Sequence, residues 1–592
     1  MSMIADISVT EKSFGSKLLM SNIKFSIDDG EKIGVIGRNG VGKSTLFGIL
    51  AGTDKDFTGE VIYRRGTTVV ATAQEHHDMK DTTVLQYVLA GLPEYPQLSH
   101  IIETYPVKMG DDMKMIDEYT VALQRFDDKG FYQIEEQIER ELVNLQLPDV
   151  AHRPFSTLSG GQKRLVEVVK IMHSDAHLAL VDEPTNHMDY VAKAQFIDWM
   201  KSAREAVLVI THDRDVLQQV DRIVELKDGG SVSYKGNYDA YLKQNAISTG
   251  SQMNEFELIE KRIVNLKQKV IDYQRLKEKS RNPGTIQKFK RLEEESRKEL
   301  AELQAKEKPT FWIDKESVAE LNYKVAGQYD KFKAKNVRIG LKNDDSRSKH
   351  TIITARDLAL GYGDKILFEG VDIDLREGEA LELRGRNGAG KTTLIKYLLR
   401  SPSSSSTKSS ETASRRASLA YAAGETRAAD ASEDLLPSGS TVVEPNGITL
   451  FDGELNLDSH VRIGIYEQEV SPTYFDLPLA EAIEKMYLDR NLAISTTKIR
   501  QLMSDYLFTE GDGKVPIKRL SGGQKARFQL IAMLANDPQL LILDEPTNHL
   551  DLPSIEEMET ALAKYNGAVL YVSHDDYFRR ALGGEVLQIG AA

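Results

Sequence analysis

The sequence contains no cysteine among its 592 residues. This absence excludes disulfide bonds, metal sites built on thiolates and cysteine nucleophiles. The sequence also has no uninterrupted apolar run of about 18 residues, which is the length that a membrane-spanning helix needs. Its opening residues, MSMIADISVTEKSFG, lack a basic segment followed by an apolar one, so we expect no secretory signal. Together these absences predict a cytoplasmic protein.

Positive charge is the scarcer sign in this chain. There are 76 Lys and Arg residues against 90 Asp and Glu residues, which gives a formal net charge of −14. A chain with this balance is not coated uniformly in charge that binds nucleic acid, so any such contact must be local. One stretch, Lys261 to Arg291, has 11 basic and 2 acidic residues. Its net charge of +9 leaves −23 for the rest of the chain.

The chain contains one domain twice, because four motifs recur in the same order. The paired motifs are GVIGRNGVGKSTL (34–46) with ELRGRNGAGKTTL (382–394), TLSGGQKRLVEVV (157–169) with RLSGGQKARFQLI (519–531), ALVDEPTNHMD (179–189) with LILDEPTNHLD (541–551), and VLVITHDRD (207–215) with VLYVSHDDY (569–577). Ser159 precedes Glu183 by 24 positions, and Ser521 precedes Glu545 by the same number. Equal spacing over such a distance indicates two copies of one fold.

Both copies carry the pattern Gly-x-x-x-x-Gly-Lys-Ser/Thr of a phosphate-binding loop. Its glycines let backbone N–H groups approach phosphate oxygens at a helix N-terminus. Lys43 and Lys391 would reach the β- and γ-phosphates. Phe14 and Tyr362 lie 23 positions before the first loop glycine, where a ring could stack on adenine. The predicted nucleotide-binding residues of the loops are Gly37, Asn39, Gly40, Gly42, Lys43, Ser44 and Thr45 in the first copy, and Gly385, Asn387, Gly388, Gly390, Lys391, Thr392 and Thr393 in the second.

An acidic pair ends the apolar run of the third motif in each copy. Such a run predicts a buried parallel strand, and ligands of α/β sheets bind at the carboxyl end of these strands. The predicted Mg²⁺ ligands are Ser44, Gln74 and Asp182 in the first copy, and Thr392, Gln468 and Asp544 in the second. Glu183 and Glu545 follow the aspartates and suit the polarisation of an attacking water. His212 and His574 recur 29 positions further on, which favours a contact with the γ-phosphate.

The motif LSGGQ adds a hydroxyl and two glycines at a helix N-terminus, which is another anion-binding feature. It resembles the signature sequence of ATP-binding cassette (ABC) proteins, in which the signature of one cassette completes the ATP site of the other. The resemblance implies two shared sites. Ser521, Gly522, Gly523 and Gln524 would close the site of the first copy, and Ser159, Gly160, Gly161 and Gln162 would close that of the second. Neither set lacks a member, so we expect both sites to hydrolyse ATP.

The segment between the two copies predicts a helical hairpin. Apolar residues recur every three or four positions on both sides of SRNPGT, which breaks the pattern. They are Ile259, Ile263, Leu266, Val270, Tyr273 and Leu276 before the break, and Ile286, Phe289, Leu292, Leu300 and Leu303 after it. The positive charge concentrates towards the break, and a basic finger on an acidic body suits contact with a phosphate backbone. A solvated coiled coil without a partner explains the same charge about equally well.

The combination of features is more specific than any one of them. Two cassettes in tandem, DEPTNH in both, no membrane segment and a charged hairpin at 245–345 resemble the ABC-F family. The resemblance implies an ATPase that enters the ribosomal exit site and points its hairpin towards peptidyl-site tRNA. Members of the family regulate or rescue translation, or protect ribosomes from antibiotics. The resemblance therefore implies ATP and Mg²⁺ as cofactors, and the large ribosomal subunit and tRNA as partners of residues 261–291. It also implies a monomer whose cassettes pair with each other.

The predicted fold is α/β, with two tandem ABC-type P-loop domains joined by an antiparallel α-helical hairpin. We place the first cassette at 1–245, the linker at 246–345 and the second cassette at 346–592. Unequal intervals between matching motifs locate two insertions. The first cassette has 32 additional residues at about 95–131, in the place of the family's arm. The second has 46 additional residues within a serine-rich segment at about 401–447, for which the composition predicts disorder.

Two other classes of protein use such cassettes. The ATPase subunit of a membrane transporter would need a coupling surface for separate membrane subunits and has no use for a basic hairpin. A DNA-repair or structural ABC ATPase usually interrupts a cassette with a far longer coiled coil or with zinc modules, and the absence of cysteine disfavours the latter. Sedimentation with ribosomes would distinguish the three classes.

Overall fold

The computed structural model describes residues 2–15, 17–73, 82–110, 112–186, 188–227, 229–305, 333, 335–341, 350–399, 442–443, 447–467 and 470–590. The chain divides into two compact units. The first unit comprises Met1–Gln219, Val224–Val232 and Val337–Ala592, so it contains both cassettes. The second unit comprises Val220–Ile223 and Ser233–Asn336.

The first cassette is built on two sheets. Its strands are β1 (Met3–Phe14), β2 (Lys17–Asp28), β3 (Lys32–Gly37), β4 (Thr58–Tyr63), β5 (Val69–Ala71), β6 (Leu178–Asp182), β7 (Ala206–Ile210), β8 (Arg222–Lys227) and β9 (Gly230–Lys235). One sheet has the order β5-β6-β7-β3-β8-β9, with β5, β6, β7 and β3 parallel, and the other is antiparallel with the order β2-β1-β4. Every residue of β6 and β7 is buried, because these apolar runs occupy the middle of the parallel sheet.

Helices alternate with these strands along the chain. They are α1 (Lys43–Leu50), α2 (Val84–Ala90), α3 (Tyr95–Lys108), α4 (Met113–Asp128), α5 (Ile134–Asn144), α6 (Gly160–Met172), α7 (Tyr190–Ser202) and α8 (Arg214–Leu217). One apolar core joins both sheets to α1, and Ile7, Leu46 and Leu208 are fully enclosed in it. The core therefore fixes the helix that follows the phosphate-binding loop.

The stretch at about 95–131, where we predicted an insertion, contains the antiparallel helices α3 and α4. Arg125, near the end of α4, donates two hydrogen bonds to Glu94, which precedes α3, at 2.7 and 2.9 Å. Tyr105, near the end of α3, donates to Glu118 of α4 at 3.0 Å. These pairings set the two helices side by side in opposite directions.

The second unit contains a two-helix hairpin, formed by α9 (Tyr238–Lys279) and α10 (Pro283–Gln304). Leu266 and Val270 are buried along the seam. Arg262 of α9 donates two hydrogen bonds to Glu299 of α10 at 2.8 and 3.0 Å. Apolar contact and charge pairing together hold the two helices in register.

Glu293 of α10 is the main polar contact within the hairpin. Its side chain is only 8% exposed and accepts hydrogen bonds from Gln274 at 3.1 Å and from Lys277 at 2.7 Å, both on α9. Arg297 of α10 also donates to it, at 3.0 Å. These bonds hold the pKa of Glu293 below its ordinary value, the bond from Lys277 contributing most. Lys277 is therefore part of the folded hairpin.

The hairpin differs from the sequence prediction in three details. Leu276, which the spacing places in the seam, is 44% exposed. Pro283, within the segment SRNPGT that we expected to break the helical pattern, already begins α10, because proline suits the first helical position and Asn282 caps the helix. The helix α9 already begins at Tyr238, so the domain boundary placed between residues 245 and 246 falls inside it.

The second cassette repeats the plan of the first. Its strands are β10 (Thr351–Tyr362), β11 (Lys365–Arg376), β12 (Ala380–Arg384), β13 (Val442–Val443), β14 (Ile448–Leu457), β15 (Ile463–Tyr466), β16 (Leu540–Asp544), β17 (Ala568–Val572) and β18 (Glu585–Gln588). Its helices are α11 (Lys391–Leu398), α12 (Leu479–Asp489), α13 (Thr496–Asp505), α14 (Gly522–Leu534), α15 (Leu552–Leu562) and α16 (Asp576–Leu582). A parallel sheet has the order β15-β16-β17-β12-β18, and an antiparallel sheet has the order β11-β10-β14-β13.

Most of the serine-rich segment at 401–447, for which we predicted disorder, lies outside the described residues. None of the helices in the described part of the chain combines the length and the apolar composition that crossing a membrane requires.

Candidate functional site

Each phosphate-binding loop encloses a buried lysine. The lysine begins the following helix, and the glycine before it has a positive φ, 103° at Gly42, which residues with a side chain rarely adopt. The ammonium of Lys43 donates to the carbonyl of Gly37 at 2.7 Å, and that of Lys391 donates to the carbonyl of Gly385 at 2.6 Å. Burial lowers the pKa of both lysines. The other predicted loop residues lie in the same turns or at the start of α1 and α11; they are Asn39, Gly40, Ser44, Thr45, Asn387, Gly388, Gly390, Thr392 and Thr393.

Two carboxylates stand at the end of a central strand in each cassette. Asp182 ends β6 and Asp544 ends β16. Glu183 and Glu545, which follow them, both have left-handed backbones, with φ of 47° and 51°. The N–H of Glu183 donates to the neighbouring strand β7 at 2.8 Å, which fixes this turn. The carboxylate of Asp544 accepts a hydrogen bond from the loop hydroxyl of Thr392 at 3.0 Å, so strand end and loop share a contact.

A histidine lies beside each of these glutamates. The Nε2 of His212 is 3.1 Å from the ammonium of Lys43 and 3.5 Å from the carboxylate of Glu183. The Nε2 of His574 is 3.1 Å from the carboxylate of Glu545. Burial raises the pKa of both glutamates, to about 7 for Glu545. Burial, with the nearby lysine, lowers the pKa of both histidines, to about 3 for His574, so both imidazoles are neutral at pH 7.

The LSGGQ motifs form the first turns of α6 and α14. The hydroxyls of Ser159 and Ser521 each accept from the N–H of the third residue onward, Gln162 or Gln524, at 3.3 Å. The side-chain oxygens of these glutamines accept from the serine N–H groups at 3.0 Å. Both glutamines, which we predicted to bind nucleotide, thus act in the cap of the helix. The space where Gly160 would carry a Cβ is open to 4 Å, so a ligand can approach this turn.

The signature of the second cassette faces the phosphate-binding loop of the first. A Cβ on Gly523 would lie 2.1 Å from the side-chain nitrogen of Asn39, so a larger residue here would displace the Asn39 side chain. The same nitrogen donates to the carbonyl of His549 at 2.9 Å, and His549 in turn lies against Gly522. We call the group formed by the first loop, β6 end, His212 and this signature the Lys43 site.

A cavity of about 720 Å³, which also reaches Glu183 and His212, holds the converse arrangement, and we call its part around Lys391 the Lys391 site. Its wall from the second cassette includes Tyr362, Asn387, Gly388, Gly390, Lys391, Thr392, Thr393, Asp544, Glu545 and His574. Its wall from the first cassette includes Ser159, Gly160, Gly161 and Gln162. The structure therefore brings nearly all predicted residues of this site around one space, whose volume suits a small-molecule ligand.

Two residues absent from the predicted site, Asp189 and Asp551, link the cassettes. One carboxylate oxygen of Asp189 caps its own helix, α7, by accepting from two backbone N–H groups at 2.9 and 3.1 Å. The other oxygen accepts from the N–H of Asn387 in the opposite loop at 3.2 Å. Asp551 does the same in the other direction: one oxygen accepts from the N–H of Ser554 in α15, and the other accepts from the N–H of Asn39, both at 3.2 Å. The available signal was the aspartate six positions after the glutamate in both repeats.

The two predicted adenine-stacking rings are accessible. Phe14 is 59% exposed and Tyr362 is 42% exposed. The ammonium of Lys12 lies 5.0 Å from the ring centre of Phe14, and the hydroxyl of Tyr362 lies 3.4 Å from that of Thr393. Tyr362 thus lies next to the start of the helix that follows its loop, whereas the contact shown for Phe14 is within its own strand. The predicted Mg²⁺ ligands Gln74 and Gln468 lie outside the described residues.

Two stretches of the chain, residues 20–186 and 368–548, match the sequence pattern of the family described as ABC transporter. The chain belongs to this family. Each match begins before the phosphate-binding loop and ends within or next to the DEPTNH motif. Both cassettes therefore bind ATP, and the chain is an ATP hydrolase. The predicted fold class of tandem P-loop cassettes joined by a helical hairpin is confirmed by this match and by the helices of the second unit.

The chain is similar along nearly its whole length to three named proteins. The ribosome protection protein VmlR of Bacillus subtilis is 26% identical, with 97% of this chain and 84% of that protein covered. The energy-dependent translational throttle protein EttA of Mycobacterium tuberculosis is 27% identical, with 96% and 88% covered. ABC transporter F family member 5 of Arabidopsis thaliana is 25% identical, with 98% and 74% covered. The resemblance to the ABC-F family is therefore confirmed.

A solved structure also resembles this chain over both cassettes. It is a chain in the crystal structure of the complex of archaeal ribosomal stalk protein aP1 and archaeal ribosome recycling factor aABCE1. The match covers 98% of this chain and 87% of that chain, with a TM-score of 0.52 and 16% identity. At this identity the likeness concerns the fold alone.

Proposed function

We propose that the chain is an ABC-F type ATPase that acts on the ribosome, where ATP-driven closing and opening of its cassettes regulates, rescues or protects translation. The observation that carries the proposal is the facing of each phosphate-binding loop by the signature motif of the other cassette. One chain supplies both halves of both sites, so the active form would be a monomer with paired cassettes. We place this protein in the cytoplasm, at the ribosomal exit site.

We assign parallel roles to the residues of the two sites. Phe14 and Tyr362 would stack on adenine, and Lys43 and Lys391 would bind the β- and γ-phosphates. The Lys43 site would comprise Phe14, Lys43, Ser44, Gln74, Asp182, Glu183 and His212, closed by Ser521, Gly523 and Gln524. The Lys391 site would comprise Tyr362, Lys391, Thr392, Gln468, Asp544, Glu545 and His574, closed by Ser159, Gly161 and Gln162.

The donor set of the Lys391 site fits Mg²⁺. The hydroxyl of Thr392 and the carboxylate of Asp544 lie 3.0 Å apart, and Mg²⁺ prefers oxygen ligands from one or two carboxylates together with substrate phosphates. In the described part of the chain no group of three or more His, Asp or Glu side chains could hold a metal by itself, so phosphate and water would supply the other ligands. Burial raises the pKa of Asp544 to about 6, and a bound cation would favour its ionised form. Asp182 and Ser44 would serve the Lys43 site.

The glutamates would act as the bases that polarise the attacking water. Because burial raises the pKa of Glu183 and Glu545, each is a stronger base than an exposed carboxylate. His212 and His574 lie within 3.5 Å of these carboxylates and would contact the γ-phosphate. Closure by the opposite signature would exclude bulk water and add the dipole of a helix N-terminus.

The hairpin offers the surface for RNA. We define the basic tip as Lys279, Arg281, Lys288 and Lys290, all of which are exposed. Arg262 and Lys277, by contrast, are paired with Glu299 and Glu293 inside the hairpin. Exposed cations are the groups that phosphate backbones attract. The names of VmlR and EttA, which refer to the ribosome and to translation, support a ribosomal partner, and we propose that the tip reaches towards peptidyl-site tRNA.

A variant that closes without hydrolysis tests this function. Glu183→Gln combined with Glu545→Gln replaces both bases by amides, so turnover should fall by about 100-fold or more while ATP still binds. The closed form should then accumulate with ribosomes in ATP-containing sucrose gradients and block protein synthesis. Glu139→Gln, which alters an exposed glutamate of α5, serves as the control.

The two parts of the proposal fail separately. If the double variant hydrolysed ATP at the rate of the unsubstituted protein, these carboxylates would not be the bases. Lost turnover with no ATP-dependent sedimentation would remove the ribosome from the proposed function and leave the ATPase assignment intact.

A further inference from the structure

A buried lysine of the first cassette contacts the second. The side chain of Lys193, on α7, is only 8% exposed. Its ammonium lies 2.5 Å from the carboxylate of Asp215 and 3.2 Å from that of Asp213, both in the first cassette. It also donates a hydrogen bond to the backbone carbonyl of His574 in the second cassette, at 2.8 Å. Lys193 therefore connects the segment that follows His212 with the histidine of the Lys391 site.

The position that matches Lys193 in the second cassette does not hold a lysine. Lys193 lies four positions after Asp189, and the residue four positions after Asp551 is Ile555. Ile555 is 1% exposed and belongs to the apolar core of the second cassette. Asp215 also has no acidic counterpart, since Tyr577 takes the matching place three positions after His574. The two ATP sites thus differ in what holds their histidine.

The carboxylates around Lys193 keep its ammonium positively charged. Burial by itself would lower the pKa of Lys193, but the negative charges of Asp213, Asp215 and Asp575 outweigh it and raise the pKa above its ordinary value. Two of these carboxylates remain with Lys193 whether or not the cassettes are joined. The bond to the His574 carbonyl and the charge of Asp575 both depend on the interface.

We propose that Lys193 is a positioning residue for the Lys391 site, because it holds the backbone of His574 from the opposite cassette. Closing the interface brings the carbonyl to the waiting ammonium and places the imidazole beside Glu545. Turnover at the Lys391 site therefore depends on Lys193 of the first cassette, whereas the segment that follows His212 is paired across the interface by Arg214 with Glu559, at 2.9 Å. The proposal rests on the proposed role of His574 in ATP hydrolysis.

The test measures each site by itself in the full chain. Glu183→Gln leaves the Lys391 site as the one able to turn over, and Glu545→Gln leaves the Lys43 site. Lys193→Met is added to each background. Loss of a charge-assisted hydrogen bond to the carbonyl should lower kcat of the Lys391 site about tenfold, with the KM for ATP changed less than about twofold. The kcat of the Lys43 site should fall clearly less, because Lys193 reaches the segment after His212 only through the side chains of Asp213 and Asp215.

Matched variants separate positioning from folding. Lys193→Arg keeps the cation and should restore most of the turnover, whereas Lys201→Met, on an exposed position of the same helix, should change neither site. Lys193→Met leaves two half-buried carboxylates without their cation, so Lys193→Met with Asp215→Asn is the variant to use if the single change unfolds the protein. Equal losses at both sites, or an unchanged Lys391 site in a folded variant, would overturn the proposal.

His574→Ala in the Glu183→Gln background tells the two proposals apart. A large loss with His574→Ala but none with Lys193→Met refutes the positioning role alone. No loss with His574→Ala refutes the role of the histidine itself.

Discussion

The carboxylate of Asp551 has two separable duties, and one substitution can divide them. One oxygen caps α15 by accepting from the N–H and the hydroxyl of Ser554. The other accepts from the N–H of Asn39 in the opposite cassette at 3.2 Å. Asparagine caps helices as well as aspartate does, but it has one acceptor oxygen where aspartate has two. Asp551→Asn should therefore keep the cap and lose the contact between cassettes.

The size of the effect follows from the contact that is lost. A hydrogen bond to a buried charged acceptor contributes about 1.5–3 kcal/mol. Losing it should shift the closing equilibrium of the cassettes by roughly tenfold to a hundredfold. Asp551→Ala removes the cap as well, which costs about 1 kcal/mol of stability. Closing should thus be impaired in both variants, and thermal stability should fall further in Asp551→Ala.

Closing can be followed by the distance between two labels. Because the chain has no cysteine, Lys201→Cys and Lys498→Cys place one label on an exposed position of each cassette. In the background of Glu183→Gln with Glu545→Gln, the ATP concentration for half-maximal closing should rise in Asp551→Asn. Unchanged closing in a folded Asp551→Asn variant would refute the reasoning, and so would a loss of stability equal to that of Asp551→Ala.

Two further predictions concern the hairpin and the core. Changing the four residues of the basic tip to Gln should weaken co-sedimentation with ribosomes. The slope of log affinity against log salt concentration should become shallower by about 3, and ATPase activity in the absence of ribosomes should stay unchanged. The matched control changes four exposed lysines of the cassettes, Lys24, Lys55, Lys201 and Lys498, and equal losses in both variants would contradict a role of the tip. Glu167→Ala should destabilise the first cassette by about 3–5 kcal/mol, because this fully buried carboxylate accepts from Tyr87, Lys170 and the N–H of Ala73. The thermal midpoint should drop, whereas Glu139→Ala should leave it unchanged, and an unshifted midpoint in Glu167→Ala would show that the buried network is dispensable.

The repeated motifs could be located from the sequence because their chemistry is local. A glycine loop before a helix and an acidic pair after an apolar run depend on neighbours within a few positions, and the structure places Lys43, Asp182 and Glu183 in those settings. The facing of loop and signature joins residues some 480 positions apart, such as Asn39 and Gly523. Sequence spacing holds no information about such a contact, so the contact could be predicted only from the resemblance to ABC proteins.

The features that the sequence did not reveal depend on tertiary context. Asp189 looks like an ordinary helix cap, and its second oxygen, which also accepts from Gln146 of the same cassette, reaches the N–H of Asn387 only when the cassettes meet. Lys193 looks like a surface lysine of an amphipathic helix. The start of α9 was missed because residues 238–250 include Ser, Thr and Gly, which favour helices weakly. Burial of Asn245 and Thr249 on this helix overrides that weak preference.

The left-handed backbones of Glu183 and Glu545 lower the stability of the fold at the two positions where a carboxylate is proposed to serve hydrolysis. For a residue with a side chain this conformation is less stable than a right-handed one by about 1–2 kcal/mol, whereas for glycine the difference is close to zero. Replacing either glutamate by glycine should therefore relax the turn while it removes the carboxylate. Selection for a sturdier fold would favour that exchange, and only selection for hydrolysis opposes it. A descendant of this chain that stopped using one site would be free to drift to glycine there, so this position records whether a cassette still works.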